Sequence, residues 1–558
     1  MLPRRLEDVD RIKNSISIVL FFQIGIYNTK INRAKAWKAI FFAICTSIME
    51  DQLLLNESNG NHLHDIMSAR VTPGRPVNGD EDKEDNTASI EKREGTTQSS
   101  VFNLANTILG SGTLACPFAC KLLGVGGFVF LMIFSALIAN YAIKVLFITV
   151  EQLGVKNPRY PSLGRRTMGS IGESVSSWVV TLQQCGACIG YMVIIGDVLQ
   201  PILSLSGWEF ACHRWIIQLG LLVFIIFPLC LLPTMSSLKH VSFVSLVLIW
   251  STVVAVVVNG LLVVENPARR SELLHPVVSP TMANICNLTT TPVLPPHPHG
   301  ANTTTTPSSS SSSASTVDVF GQMRMFPSGA GDVLSALPII SFAFLCHQNS
   351  FPIYSELKSA TPQKMATVGT YSIFICCCVY IMSGIMGYYT FLEHTESDLL
   401  RNFKVHGTYF SVVMDIVRTG FGVSMVLSYP LMVWEARENL DLLIFGGNRP
   451  YEFWRHFSLN FGILGVCGAI GISVQKLDVV LGFVGSTCSP IMVFVLPALY
   501  SLVPSPKCCV PSNYKTIFML AWGLLLIPAC LSVWVLQNFI CTADAHHAKS
   551  QICLAFDL

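Results

Sequence analysis

Polar residues interrupt the first long apolar stretch of this chain. The residues from Gly95 to Cys120 carry no charge, and the stretch is long enough to cross a bilayer, which takes roughly 20 helical residues. Its middle nevertheless holds two Asn, two Thr and the triplet Gly110-Ser111-Gly112. Backbone can unwind inside a membrane only where protein or a water-filled cavity satisfies the freed polar groups. Because a broken helix offers half-helix ends and bare carbonyls to a charged solute, this stretch predicts the binding helix of a transporter.

The rest of the chain is also typical of a membrane protein. Of its 558 residues, 51% are hydrophobic and 13% are charged, whereas soluble chains carry roughly 25% charged residues. Uncharged windows recur after residue 94 and predict an all-α membrane protein with eleven transmembrane helices between residues 95 and 541. The spans are expected near 97–120, 123–147, 172–200, 215–234, 241–264, 332–355, 367–392, 410–434, 457–474, 479–503 and 516–541.

Basic residues in the short loops predict the orientation, because cytosolic loops are enriched in Lys and Arg. One set of alternate loops carries twelve of them, namely Lys156, Arg159, Arg165, Arg166, Lys239, Lys358, Lys364, Arg437, Arg449, Arg455, Lys507 and Lys515. The other set carries five, namely Lys121, Arg214, Arg401, Lys404 and Lys476. We therefore expect the first set and the amino terminus in the cytosol, and the carboxyl-terminal tail 542–558 outside.

The longest loop, 265–331, agrees with this orientation, although its charges are not part of the count. It contains two acceptor patterns for N-linked glycans, at Asn287 and Asn302. Its Pro, Thr and Ser runs cannot bury a core and resemble an O-glycosylated stalk. We expect this loop to be glycosylated and extracellular or lumenal.

The amino-terminal region 1–94 is separate from the spans. Gly74 to Glu94 is charged and polar, so much of this region is expected to be disordered in the cytosol. The apolar runs 16–27 and 39–48 are too short to span a bilayer. A signal peptide is not favoured for the first residues, because its cleavage would place the following tail outside, against the loop charges. An interfacial anchor and an unreliable start of the gene product stay open.

The sixth span is interrupted like the first. Four consecutive polar residues, 347–350, lie past its middle, and Pro352 follows. Polar groups are costly in lipid unless they face the protein interior or a cavity. Interruptions in spans one and six, five spans apart, are expected of two inverted five-helix repeats with a binding site between them. For His347, a hydrogen-bonded structural role is favoured over a proton sensor.

Three segments resemble one known family. These are Val-Phe-Asn-Leu-Ala-Asn-Thr-Ile-Leu-Gly-Ser-Gly-Thr-Leu at 101–114, Ser-Phe-Ala-Phe-Leu-Cys-His at 341–347 and Pro-Ile-Tyr-Ser-Glu-Leu-Lys at 352–358. They are similar to the sodium-coupled neutral amino acid transporters of solute carrier family 38, within the amino acid/auxin permease group. The resemblance covers about residues 98–541. It implies the five-plus-five inverted repeat of the bacterial leucine transporter type, with an eleventh helix, and symport of neutral L-amino acids with Na⁺.

The resemblance also implies a sodium site formed by Asn106 and a hydroxyl of the eighth span. Ser428 matches the family's Thr best, and Ser424, one turn earlier, is a candidate for a second hydroxyl. Amide and hydroxyl oxygens suit a small hard cation. Other roles stay open, because Asn106 could hydrogen-bond between helices and Ser428 could bond to its own helix.

The amino acid itself is expected at the unwound part of the first span, with Phe344 of the sixth span beside it. The substrate-binding residues of the first span would be Thr107, Ile108, Leu109, Gly110, Ser111 and Gly112. N–H groups of the second half-helix would face the carboxylate, and carbonyls of span one or of 341–344 would face the ammonium. Neither interrupted helix holds a deep acidic residue, which favours a neutral side chain.

Two other functions stay open: proton-coupled amino acid export from lysosomes or vacuoles, and an amino acid sensor with little flux. An enzyme is not expected, because the sequence shows no nucleotide-binding loop, metal-ligand set or nucleophile constellation on a solvent-facing segment. We expect no cofactor or metal ion other than Na⁺, and no nucleic acid partner, since no basic stripe is present. We expect the protein to reside in either the plasma membrane or an endolysosomal membrane.

The predicted orientation can be tested through the glycan acceptors. Treatment with a glycosidase should increase the mobility of the protein on a gel, and replacing Asn287 and Asn302 together by Gln should abolish that shift. A tag in the predicted cytosolic loop 435–456 should be labelled only after permeabilisation. Labelling of that tag in intact cells would overturn the orientation.

Overall fold

The computed structural model describes residues 95–155, 157–204, 213–232, 239–266, 269–270, 273, 323–403, 409–446, 451–503 and 514–540. Both glycan acceptors, the region 1–94 and the tail 542–558 lie outside these residues, so the predictions for them stay predictions.

The described residues are helical almost throughout. The helices are α1 Thr97–Ile108, α2 Gly112–Leu153, α3 Tyr160–Ser204, α4 Arg214–Cys230, α5 Lys239–Glu265, α6 Ala330–Ala343, α7 Ser350–Glu356, α8 Pro362–Phe391, α9 Tyr409–Phe445, α10 Phe453–Ser473, α11 Leu477–Ser486, α12 488–502 and α13 Tyr514–Ile540. Within the described ranges, eight continuous helical stretches are long and apolar enough to cross a membrane. The chain is therefore an all-α membrane protein, as predicted, while the total of eleven spans stays a prediction.

Both predicted interruptions are present. The first span is divided between α1 and the start of α2, and the sixth is divided between α6 and α7. A third break, which the sequence analysis did not predict, separates α11 from α12 at Thr487, where φ is −111° and ψ is −81°. Pro490 follows closely, and its missing N–H removes one bond that would continue the helix.

A sharp kink at Gly124 separates the first and second spans inside α2. Gly124 has φ of 69°, a left-handed conformation that glycine adopts at little cost. A Cβ atom there would lie 2.5 Å from the backbone nitrogen of Phe326. The segment before α6 passes this kink and accepts the Val125 N–H at the Arg324 carbonyl, at 2.9 Å. The chain thus turns between two spans while its freed N–H groups stay paired.

The eighth span is longer than predicted. Its helix, α9, continues to Phe445 rather than ending near residue 434. Arg437, expected in a loop, is therefore buried on this helix, with Nη1 at 3.4 Å from both His456 Nε2 and Asn460 Oδ1 of α10. Polar partners on a neighbouring helix explain how the guanidinium is tolerated there.

Two groups of helices surround the breaks. In the first group, α8 packs along α1 and α2, and α6 packs against α2 and α11. In the second group, α9 packs along α3 and α5. Their contact surfaces form one continuous apolar core, whereas Phe102, Phe224 and Ile416 are among the large side chains left exposed, as lipid-facing residues would be.

Charged side chains cluster at the end of α9 that is predicted to face outside. Arg418 is 2% exposed; its Nη1 donates to the Phe403 carbonyl at 2.5 Å and lies 3.7 Å from Asp415 Oδ1. Asp415 and Arg418 thus form an ion pair three residues apart on the same helix. Nearby, Asp197 of α3 pairs with Arg214 of α4 at 3.1 Å.

Asp398 belongs to the same cluster and starts the short helix Leu399–Asn402. One carboxylate oxygen accepts the Leu400 N–H at 2.9 Å, and the other is buried without a hydrogen-bond partner in the described structure. Burial and the nearby Asp197 carboxylate raise the pKa of Asp398 to about 7, although the Leu400 hydrogen bond and the charges of Arg418 and Arg401 oppose this shift.

Because α6 and α11 are in tight contact, one methyl group added at Gly485 should lower the stability of the protein. A Cβ atom on Gly485 would lie 2.1 Å from the Pro338 backbone oxygen, which cannot move aside as a side chain could. We expect Gly485→Ala to destabilise the protein by about 1–3 kcal/mol, the usual cost of overpacking, and to lower its melting temperature. Gly462→Ala on α10, where nothing lies within 4 Å, is the control and should be neutral or slightly stabilising. Equal melting temperatures for the two variants would contradict this packing.

The raised pKa of Asp398 predicts a pH-dependent effect of Asp398→Asn. The folded carboxyl binds its proton more tightly than the unfolded one, so its contribution to stability falls as pH rises from about 4 to about 7. The amide keeps an acceptor for the Leu400 N–H and cannot ionise. We expect the variant to melt at a higher temperature than the wild type at pH 8, and this difference to shrink at pH 5.5. Asp398→Ala, which also loses the helix cap, should melt lower than Asp398→Asn at both pH values.

Candidate functional site

The first break is shorter than the sequence predicts. Thr107 and Ile108 still belong to α1, because the N–H of Leu109 closes the last helical turn with a 2.9 Å hydrogen bond. Gly112 already begins α2. The prediction that Thr107, Ile108 and Gly112 are unwound is therefore wrong, and only residues 109–111 lie between the two half-helices.

The second break spans residues 344–349, between α6 and α7. Phe344, predicted to line the site, is its first residue and is almost fully buried. His347 is completely buried, and its Nε2 lies 3.2 Å from the Ala139 carbonyl of α2. This contact fits the structural role favoured for His347.

The two breaks lie directly against each other. A Cβ atom built on Gly112 would be 3.1 Å from the Cα atom and 3.2 Å from the Cβ atom of Ala343. Only a residue without a side chain allows this approach without displacing its neighbour. The end of α6 therefore meets the start of α2, and the backbone groups freed at both breaks share one small region.

Tyr380 of α8 joins the breaks through one hydroxyl. Its oxygen lies 2.5 Å from the Ile108 carbonyl and 3.1 Å from the Ala343 carbonyl. These are the last residues of α1 and α6. Carbonyls at the carboxyl end of a helix lack intrahelical partners and carry partial negative charge, so both attract a donor.

Two further side chains extend this contact along α1. Ser372 Oγ donates to the Val101 carbonyl at 2.9 Å, and Cys376 Sγ lies 3.5 Å from the Ala105 carbonyl. With Tyr380, these residues are spaced four apart on α8 and form one stripe. The stripe holds α1 against α8 along its length.

Asn106, the predicted sodium ligand, has a suitable free oxygen. Its Oδ1 is buried and has no hydrogen-bond partner within the described ranges. A buried amide oxygen without a donor is costly, and a cation would satisfy it. This feature fits the predicted ion site, and the role of Asn106 as a sodium ligand stays a prediction.

The predicted hydroxyl ligands of the eighth span point to another helix. Ser424 Oγ donates to the Ser245 carbonyl of α5 at 3.3 Å, and Ser428 Oγ lies 3.4 Å from Ser245 Oγ. These bonds link α9 to α5. The proposed roles of Ser424 and Ser428 in sodium binding stay predictions.

Tyr191 of α3 approaches the first break from the other group of helices. Its hydroxyl would be 3.6 Å from a Cβ atom on Gly110. Its ring packs edge-on against Tyr429 of α9, with centroids 6.5 Å apart. The break thus lies between a tyrosine of α3 and a tyrosine of α8.

The two broken helices also meet at their far ends. Gly95 N donates to the Glu356 carbonyl at 3.0 Å, and Lys358 N donates to the Gly95 carbonyl at 2.9 Å. This pair of bonds forms a short parallel β-bridge between Gly95 and Leu357. The start of the first span and the end of the sixth are therefore fastened together at the side predicted to be cytosolic.

Sequence reasoning did not find Tyr191, Ser372 or Tyr380. Each lies in an otherwise apolar span, where a single Ser or Tyr is an ordinary residue. The four-residue spacing of Ser372, Cys376 and Tyr380 indicates a common helix face, but it does not show which helix that face meets.

Comparison with known proteins gives three similarities. Residues 93–291 and 307–540 match the sequence model of the family described as transmembrane amino acid transporter protein. The chain is 26% identical over 447 residues to sodium-coupled neutral amino acid symporter 2 of Danio rerio, which covers 78% of this chain and 82% of that protein. The crystal structure of MhsT in complex with L-phenylalanine has a TM-score of 0.49 and 11% identity, over 78% of this chain and 97% of that one. This last similarity is too low to establish a shared fold.

Proposed function

The chain belongs to the transmembrane amino acid transporter family, and from this premise we propose that it carries neutral L-amino acids across a membrane together with Na⁺. Transport would proceed by alternating access around the two broken helices. The observation that carries the proposal is the juxtaposition of the breaks, with Gly112 against Ala343 and both helix-end carbonyls within reach of one hydroxyl.

The backbone at the breaks suits the two charged groups of an amino acid. The start of α2 supplies N–H groups and the positive end of a helix dipole to the carboxylate. The Ile108 and Ala343 carbonyls supply acceptors to the ammonium. Residues 109–111 and 344–349 contain no acidic side chain that would pair with a cationic substrate. Phe344 and Tyr191 offer apolar surface instead, which supports a neutral substrate.

Sodium coupling is supported by the free Oδ1 of Asn106. Asn106 precedes the break by one helical turn, so an ion bound there would order the end of α1. Ordering α1 would in turn favour amino acid binding at the break, and the coupling must be reciprocal.

Proton coupling is the second candidate, and one contact favours it. Glu435 of α9 accepts a hydrogen bond from the Gln184 amide of α3, and Gln184 is almost fully buried. An acid within a membrane-spanning helix that meets a neutral partner is a candidate for proton binding. Export from an endolysosomal compartment would fit this alternative.

Uptake by purified protein in proteoliposomes distinguishes the two mechanisms. A panel of L-amino acids is offered with a Na⁺ gradient alone and with a pH gradient alone. We expect neutral amino acids to accumulate with Na⁺. Accumulation driven only by the pH gradient would show that transport is coupled to protons. If no amino acid of the panel is transported, the proposed function is contradicted.

Asn106→Ala tests the sodium site. Removing one oxygen should weaken the apparent affinity for Na⁺ by about 10- to 100-fold, the range for a bond to a charged group, and amino acid affinity should fall with it. The matched control is Asn103→Ala, because Asn103 is on the same helix but exposed, and it should change Na⁺ affinity little.

A double variant tests whether Ser428 shares this ion. If it does, Ser428→Ala should resemble Asn106→Ala, and the effects of the two substitutions should be clearly non-additive. Additive losses would place Ser428 in the contact with Ser245 alone. Unchanged Na⁺ dependence in Asn106→Ala would reject the site.

A further inference from the structure

The Tyr380 hydroxyl occupies acceptors that an incoming ammonium group would need. It lies 2.5 Å from the Ile108 carbonyl and 3.1 Å from the Ala343 carbonyl, and it has one proton to donate. The Ile108 carbonyl also accepts the Gly110 N–H at 2.9 Å. A carbonyl oxygen has two lone pairs, so Tyr380 fills the remaining position. A second donor can bind there only if the hydroxyl leaves.

The position of the hydroxyl is fixed by packing. The Tyr380 side chain is fully buried, and its ring meets the Phe344 ring edge-on, with centroids 5.7 Å apart. Cys376 and Ser372 continue the same stripe toward the start of α1. The hydroxyl is therefore held at the junction of the two breaks rather than reaching it by chance.

A charged donor competes well for these carbonyls. Hydrogen bonds from an ammonium group are roughly twice as strong as those between neutral groups, and the carboxyl ends of α1 and α6 carry partial negative charge. An ammonium has three donors and can serve both carbonyls fully, whereas the single proton of Tyr380 must be shared.

We propose that the Tyr380 hydroxyl is a built-in substitute for the α-ammonium group of the amino acid. It satisfies the Ile108 and Ala343 carbonyls while the site is empty, and the ammonium displaces it on binding. This inference rests on the proposed function and assigns Tyr380 as a positioning residue that acts through the two carbonyls.

As a consequence, the site binds the amino acid more weakly and releases it faster than it would without the hydroxyl. A carbonyl already satisfied in the empty state gains less from the ligand, because binding exchanges one hydrogen bond for another. The returning hydroxyl also offers the departing ammonium a replacement, which favours release. Removing the hydroxyl should therefore tighten binding, whereas removal of an ordinary scaffold contact should loosen it.

Tyr380→Phe distinguishes these outcomes, because the ring and its packing on Phe344 remain. Binding of L-alanine, L-glutamine and L-leucine is measured by equilibrium binding and by dissociation rate, with the full-length protein in nanodiscs and saturating Na⁺. We expect Kd to fall about 2- to 10-fold, the range that one net hydrogen bond gives, with a matching decrease in the dissociation rate and a lower maximal uptake rate. Ser372→Ala is the control, since Ser372 belongs to the same stripe away from the breaks. Loss of this scaffold contact should leave Kd unchanged or raise it, and should not lower it.

Two further measurements extend the test, and the first of them keeps it decisive if Tyr380→Phe folds poorly. Tyr380→3,5-difluorotyrosine, with a more acidic hydroxyl, is a stronger donor and should raise Kd, opposite to Phe. Propionate, which lacks the ammonium of L-alanine, competes for the carboxylate part of the site only. Its inhibition constant should be the same in the wild type and in Tyr380→Phe.

The results separate this inference from the proposed function. Failure of the wild type to bind any of the three amino acids would overturn the proposed function and the inference with it. A wild type that binds, together with a Tyr380→Phe variant of equal or weaker affinity, would overturn the inference alone. So would a difluorotyrosine variant that binds as tightly as the wild type or more tightly.

Discussion

A helix broken inside a membrane exposes carbonyl and N–H groups that lipid cannot satisfy, and this constraint organises the centre of the protein. At the end of α1 and at the end of α6 the freed carbonyls meet the same Tyr380 hydroxyl. Because one hydroxyl serves the carbonyls of both breaks, the two breaks lie together. The close approach of Gly112 to Ala343 follows from the same requirement.

The two broken helices are connected at two points, and α1 is also held on α8. The β-bridge between Gly95 and Leu357 joins their far ends, Tyr380 joins their breaks, and the stripe on α8 holds α1 along its length. By contrast, the hydroxyls of Ser424 and Ser428 bind α9 to α5. Under the proposed function, the broken helices and α8 would move together relative to α9 and its neighbours, a motion of the hinge or shear type.

Buried arginine side chains also lie beside polar or charged partners. Arg418 and Asp415 are paired near the predicted outer end of α9, and buried Arg437 has polar partners on α10. Two of the buried oxygens without a hydrogen-bond partner in the described part of the chain belong to Asp398, in the outer charge cluster, and to Asn106, beside the first break. The unpaired amide oxygen beside the break is suited to bind a cation, whereas the paired charges elsewhere stabilise contacts between helices and loops.

The sequence alone determined that the chain spans a membrane, that its first and sixth spans are broken, and which family it belongs to. These properties are local, since hydrophobic runs, polar interruptions and short motifs are read along the chain. The exact limits of the first break were not predictable, because whether Thr107 and Ile108 stay helical depends on the bond from Leu109 and on the support of α8. Only the tertiary structure decided that Tyr380 reaches both breaks and that Ser428 faces Ser245. Such pairings join residues 37 to 272 positions apart in the sequence. The helix rotation that selects one partner over another is set by packing against all neighbouring helices at once.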